Sequence, residues 1–361
     1  MSAKQTGSII ANVPGGALLA AALDGEALLR DRMAVAGVEL SRPPGFGIDD
    51  EARARAGLLI EATIAAAESA LRGAEPGLDC APPSDLAARF VSAGLLARSG
   101  LAAAALLRAE EHRLTAALVR GAGEEEEGAG ARRLDPIGGD FASESFAVRA
   151  AEAARLDRTG DPLLPLHDLP VEDRHALFWQ VAACLAEAAL AVQGEARAGN
   201  EDALHRAAAA AAARTLATID DSDGIAPSAM RLARSLNAVG QIDDMLLAGT
   251  LASGRVASLS AMLAVRAGIG FDDARAMLTD PARCAVLLRA CAVERGIAAA
   301  MILALALALD RGFGEDPADR AAAIIQDFGA LTVDRARTEV RHARLEPHYR
   351  DALAAISAAR R

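Results

Sequence analysis

SAMRLARSLNAVG (228–240), IDDMLLAGTLASG (242–254), VASLSAMLAVRAG (256–268), FDDARAMLTDP (271–281), ARCAVLLRACAVERG (282–296) and IAAAMILALALALDRG (297–312) follow one another almost without a gap. Each is a run dominated by Ala, Leu, Val and Met, closed by Gly, Asp or Pro, residues that interrupt helices. The breaks come roughly every 13 to 16 residues, so a pair of helices occupies roughly 28–32, near the length of helical hairpin repeats. This rhythm predicts an all-α, HEAT-like helical-hairpin repeat array of the α-solenoid kind.

Composition leads to the same fold class. Of 361 residues, 52% are hydrophobic but only 3% aromatic, with one Trp and one Tyr. Strand cores favour β-branched and aromatic side chains, whereas alanine and leucine favour helices. The formal net charge is −11, and the arginines are interleaved with Asp and Glu. A basic patch, which phosphate binding requires, is missing, so no nucleic-acid partner is expected. Cys80, Cys184, Cys284 and Cys291 form no CxxC and read as small buried hydrophobes in a reducing compartment. The opening residues carry Pro and Gly too early for a signal-peptide core. The longest apolar run, 297–309, has 13 residues, short of the roughly 20 that cross a bilayer, and reads as a buried core helix. These features predict a cytoplasmic protein with no membrane span.

Outward from the repeats, punctuation divides the rest of the chain. Residues 1–14 read as a flexible tail and 15–120 as an N-terminal helical region. Within it, Asp49 and Asp50 stand where a helix cap belongs, and Ser99–Gly100 separates two helices. Residues 121–135, GAGEEEEGAGARRLD, combine glycine with four successive glutamates and read as an exposed acidic linker. From 136 to 361 the text returns to helices. One is expected near 143–158, and Pro170 opens a long one with Glu172 and Asp173 at the positive end of its dipole. Its apolar residues Ala176, Leu177, Val181, Cys184, Leu185 and Ala188 recur at helical spacing.

The stretches LHDLPVEDRHALFWQVAACLAEA (166–188) and DDMLLAGTLASGRVASLSAMLAVRAGIGFDDARAMLTDPARCAVLLRACAVERG (243–296) resemble the DUF2336 family of alphaproteobacteria. The shared pattern is a helix, an AVRAG-ended helix, a short helix closing on a D-P turn and a helix containing LLRA. The resemblance covers about residues 165–312 and implies a HEAT-like helical array. It brings no activity and no catalytic residue with it.

Several groups of residues invite a chemical reading. His167, Asp168, Glu172, Asp173 and His175 lie together around the start of the long helix, and such residues can bind a metal. First-turn acids are equally explained by the helix dipole. His175 as a phospho-accepting histidine would need a small, basic neighbouring face, yet Leu177, Phe178 and Trp179 follow it. Glu339 and His342 are half of a di-iron ligand pattern with no second copy, and Glu110, Glu111 and His112 are wrongly spaced to supply one. Asp221, Asp223 and Gly224 would place Ile219 at the first ligand position of a calcium loop, which disqualifies it. No phosphate-binding glycine loop and no GxSxG nucleophile turn occurs. The reading is therefore of a protein without catalytic residue, metal or cofactor.

Two sets remain as binding candidates. Phe178 and Trp179 could anchor a protein partner, since aromatic residues dominate interface energies. The alternative is that they fill the core, although neighbours about 100° apart cannot both occupy the centre of one stripe. Arg255, Arg266, Arg283 and Arg289 could converge on an anionic ligand; otherwise they are solvated and paired with Asp243, Asp244, Asp272 and Asp273. The function expected is a non-enzymatic scaffold or adaptor that binds another protein. The alternatives are a small-ligand or second-messenger sensor and, last, an unrecognised enzyme.

Overall fold

The computed structural model describes residues 15–40, 49–78, 86–124, 164–193, 197–310 and 316–342, with isolated positions beyond. The tail 1–14, the helix expected near 143–158 and most of the acidic linker lie outside the described residues. All regular structure among the described residues is helical. The helices are α1 Gly16–Leu40, α2 Asp50–Ala74, α3 Leu86–Ser92, α4 Leu101–Glu124, α5 Val171–Gln193, α6 Arg197–Thr218 and α7 Ile225–Ala238. They continue as α8 Asp244–Ala252, α9 Val256–Ala267, α10 Phe271–Met277, α11 Pro281–Ala290, α12 Arg295–Leu309, α13 Pro317–Ala330 and α14 Val333–His342.

Their ends are set by local chemistry. A helix start leaves backbone N–H groups without partners, and short acidic side chains accept from them. Asp49 accepts from the Glu51 N–H at 3.0 Å before α2, Asp243 from Leu246 at 2.7 Å before α8, and Asp280 from Arg283 at 2.9 Å before α11. Glu294 accepts from Gly296 and Ile297 before α12, and Asp316 from Ala318 before α13. Pro281 and Pro317 occupy the first helical position, where a missing N–H costs nothing. α9 stops at Gly268, whose φ of 70° is the left-handed turn that glycine adopts without a Cβ penalty.

The chain forms two compact units that do not follow its linear order. One contains 1–29, 113–152 and 225–361; the other contains 30–112 and 153–224. The linear expectation of an N-terminal region (15–120) followed by a C-terminal domain (136–361) thus differs from the packing. α5 and α6 pack against α2 upstream of the linker, because that is where their apolar faces find complementary ones. α4 also runs on to Glu124, so Gly121–Glu124 are helical and only 125–135 of the expected linker fall outside the described residues.

In the first unit, α9 and α11 are the buried pillars. Every residue from Val256 to Ala264 is buried, as are all of Pro281–Ala290 except Arg289. α9 packs on α7, α8, α10 and α11, while α11 packs on α10, α12, α13 and α14. α7 shows how the rest join: Ile225, Ala229, Leu232, Ala233 and Leu236 form one inward stripe. In the second unit, Leu59, Ile60, Ile64 and Leu71 of α2 meet Leu177, Phe178, Val181 and Leu185 of α5 within one core. Ala208, Ala211 and Ala212 line α6, and these small side chains let α5 and α6 approach closely. α5 is the one helix among the described residues with the length and apolarity to cross a membrane; half of that window is buried, the pattern of a core helix.

Candidate functional site

The start of α5 gathers the polar residues that the sequence marks as a possible metal cluster. They point to different partners. The Asp173 carboxylate accepts the Gly100 N–H, and a Cβ at Gly100 would stand 2.0 Å from its Oδ1. The Gly100 carbonyl accepts the first backbone bond of α4 from Ala104, so Gly100 is the N-cap of α4. Asp173 therefore caps α4 from a neighbouring helix, as the distal Glu of a capping box does within one helix. Burial and the nearby Glu172 raise its pKa above the ordinary carboxylate value, and the Gly100 bond offsets part of that rise. Arg174, buried, pairs with Asp221. The Trp179 indole N–H donates to His175 Nε2 at 3.3 Å, with the rings tilted and their centres 6.0 Å apart. His167 and Asp168 sit in a short 3-10 turn, 166–168, before the helix. Among the described residues, no three His, Cys, Asp or Glu side chains are placed to share a metal ion.

The two aromatic candidates separate. Phe178 is fully buried in the core, while Trp179 remains 38% exposed. The backbone angle between adjacent residues decides this: with Phe178 pointing inward, Trp179 turns toward the rim.

The four arginines also separate. Arg266 pairs with Asp244 at 2.6 Å, a pairing within the expected set. Asp244 also accepts the Glu294 N–H at 2.7 Å and so ties α8 to α9 and α12. Arg283 is buried and donates to the Ala276 carbonyl, and Arg289 donates to the Leu331 carbonyl with its guanidinium over the Phe328 ring. Arg255 is buried at the start of α9. Arg255 and Arg283 are thus buried rather than solvated, and Arg283 is held inward by a carbonyl acceptor near a helix end.

A buried charged stripe on α4 escapes the sequence reading. Arg108, Glu110, Glu111 and His112 are all less than a tenth exposed. Arg108 pairs with Glu111 at 2.9 Å and Arg32 of α1 with Glu110 at 2.7 Å. Arg55 of α2 donates to His112 Nδ1 at 2.8 Å and also pairs with Glu51. A guanidinium can only donate, so Nδ1 accepts and His112 is the neutral tautomer with its proton on Nε2. A signal was present: charged and polar residues at 108, 110, 111 and 112 span more of the helix circumference than one solvent face, in a helix whose Leu101, Ala105 and Leu106 point inward.

The cysteines are set for packing. Burial pushes the Cys284 thiol well above its usual range, that of Cys291 up to about 12, and that of the half-buried Cys184 upward too. All three are free thiols and poor nucleophiles at neutral pH. Cys80 lies outside the described residues.

The feature with most functional promise is α12. The expectation of a buried core helix over 297–309 needs correction, because among the described residues only one side is covered. Ala298, Met301, Ile302, Leu305, Ala306 and Ala308 are buried, whereas Ala300, Leu303 and Leu307 form an outward stripe. Leu303 is 38% and Leu307 54% exposed, and from Ile297 to Leu309 no polar residue relieves that face. A run apolar all round predicts burial on every side, but α12 packs against α8, α11 and α13 over part of its circumference only.

Residues 111–341 match the DUF2336 family, described as an uncharacterised protein conserved in bacteria. The match takes in α5 to α14 and reaches upstream to Glu111, inside the buried charged stripe of α4, beyond the 165–312 legible as a resemblance. No curated protein and no solved structure matches the chain. With more than half of its length matched, the chain belongs to the DUF2336 family.

Proposed function

We propose that this protein is a non-enzymatic binding scaffold, working in the cytoplasm where its free thiols stay reduced, and that it presents the outward face of α12 to a protein partner. The observation that carries the reading is the Ala300–Leu303–Leu307 stripe. A helix on the surface of a globular unit normally turns charged residues outward, and unrelieved leucines there mark interaction sites. The short period of the downstream helices supports a HEAT-like arrangement of stacked hairpins, an architecture suited to broad binding faces. Trp179 on α5, in the other compact unit, is by itself a part-exposed aromatic of the kind that anchors interfaces.

A photo-reactive amino acid at position 307, compared with one at the exposed polar position 201, tests the reading in cells. Specific protein adducts are expected from 307 and lost on Leu303→Asp. Equal adducts from both positions, or none from 307, would remove the basis for the scaffold.

A further inference from the structure

We propose that the outward face of α12 is a two-fold contact, covered by α12 of a second copy of this chain lying antiparallel to it. The proposal rests on the protein-binding reading and names the partner. The stripe is symmetric about Leu303. Gly296 and Asp310 stand seven residues to either side, and seven residues return to within about 20° of the same direction. Ala299 and Leu307 stand four residues to either side, again on that face. Gly296, Ala300, Leu303 and Leu307 are exposed, and Ala299 and Asp310 are half-buried.

A two-fold axis through Leu303 sets that residue against its own copy and Leu307 against Ala299 of the second copy. The stripe suits this arrangement, because its first half carries only Gly and Ala and its second half carries Leu307. Each large side chain then enters the space left by a small one. A parallel pairing would instead stack Leu307 on Leu307, leave Gly296 and Ala300 facing across a gap, and set Asp310 against Asp310. Charge favours the same direction. Nothing from Gly296 to Leu309 is charged, Arg295 precedes the stripe and Asp310 ends it. In the antiparallel contact each Asp310 arrives beside Arg295 and the positive end of the other helix dipole. Glu294, at that same end, is turned onto the Gly296 and Ile297 N–H groups of its own helix. A charged peptide finds no counter-charge within the stripe, whereas a second uncharged face needs none. One helix pair is a small contact, so the dimer is reversible rather than permanent.

Sedimentation of the full-length chain over a concentration series tests this. A species of twice 37.0 kDa is expected. Leu303→Asp should weaken self-association by about 30-fold or more, since it sets two carboxylates face to face in an apolar contact. Arg295→Asp and Asp310→Arg should each weaken it by about three- to tenfold, and the double variant should regain it. These two lie at the ends of α12, away from its buried side, and carry the test if Leu303→Asp fails to fold. In a Cys80→Ser, Cys184→Ser background under oxidised glutathione, Ala299→Cys should link to a differently tagged Leu307→Cys copy in preference to itself. A monomer at the highest soluble concentration, or a dimer indifferent to Leu303→Asp, overturns the proposal. So does a double charge reversal no tighter than either single one, or Leu307→Cys linking chiefly to itself. A monomer whose adducts at position 307 still vanish on Leu303→Asp overturns self-docking and leaves the protein-binding reading standing.

Discussion

Gly100→Ala isolates the contact between α4 and α5 in one methyl group. The added Cβ would meet Asp173 Oδ1 at 2.0 Å, Cγ at 2.2 Å and Oδ2 at 2.3 Å, all far inside van der Waals contact. Two responses are open. The helices can part, which uncovers Leu101 and Ala102 at the start of α4, both fully buried, and costs about 1–3 kcal/mol as overpacking does. Alternatively, Asp173 rotates away and gives up the Gly100 N–H, a loss of about 1 kcal/mol for a capping interaction. The second is cheaper, because Asp173 is only part-buried and regains water as it swings out. The expected cost is therefore about 1–2 kcal/mol, including the poorer N-cap propensity of Ala. In an Asp173→Ala background the same substitution should cost only a few tenths, a coupling of about 1 kcal/mol in a double-mutant cycle read by urea denaturation. An equal cost in both backgrounds would refute the cap.

The pH dependence of the same carboxylate follows from its raised pKa. An acid whose folded pKa lies above its unfolded value binds its proton more tightly in the folded state. Its contribution is thus fully present below 3.8 and is lost as pH rises through the folded value. Relative to Asp173→Asn, the parent should gain stability on acidification from pH 7 toward that window; a parallel pair of stability curves would contradict the assigned shift. Glu111→Leu alone should destabilise by about 3–5 kcal/mol by removing the carboxylate that pairs with buried Arg108, whereas Arg108→Met with Glu111→Leu should cost far less in thermal denaturation. Thiol labelling of the folded Cys80→Ser variant should modify Cys184 first and reach Cys284 and Cys291 only on unfolding; early labelling of Cys291 would contradict its burial. Gly268→Ala, at a φ of 70° with open space around it, should cost about 1 kcal/mol, and Gly254→Ala more, because its Cβ also meets Val119 at 2.7 Å.

The sequence by itself determined what is local. Helix identity, the cap at Asp49 and the stop at Gly268 depend on residues within a few positions of one another, so spacing suffices to find them. Family membership was legible for the same reason, through the AVRAG and LLRA helices. Which face meets which partner is a different kind of fact. Asp173 against Gly100, Arg55 against His112 and the return of α5 and α6 onto α2 join residues tens of positions apart or more. An Ala- and Leu-rich chain offers many nearly equivalent apolar faces, and nothing local ranks them. Only tertiary packing decided that α9 and α11 are enclosed on all sides while α12, the most apolar of the set, keeps Leu303 and Leu307 in water. Periodicity tells a helix which residues share a side; the number of neighbours available to cover that side is set by the whole fold.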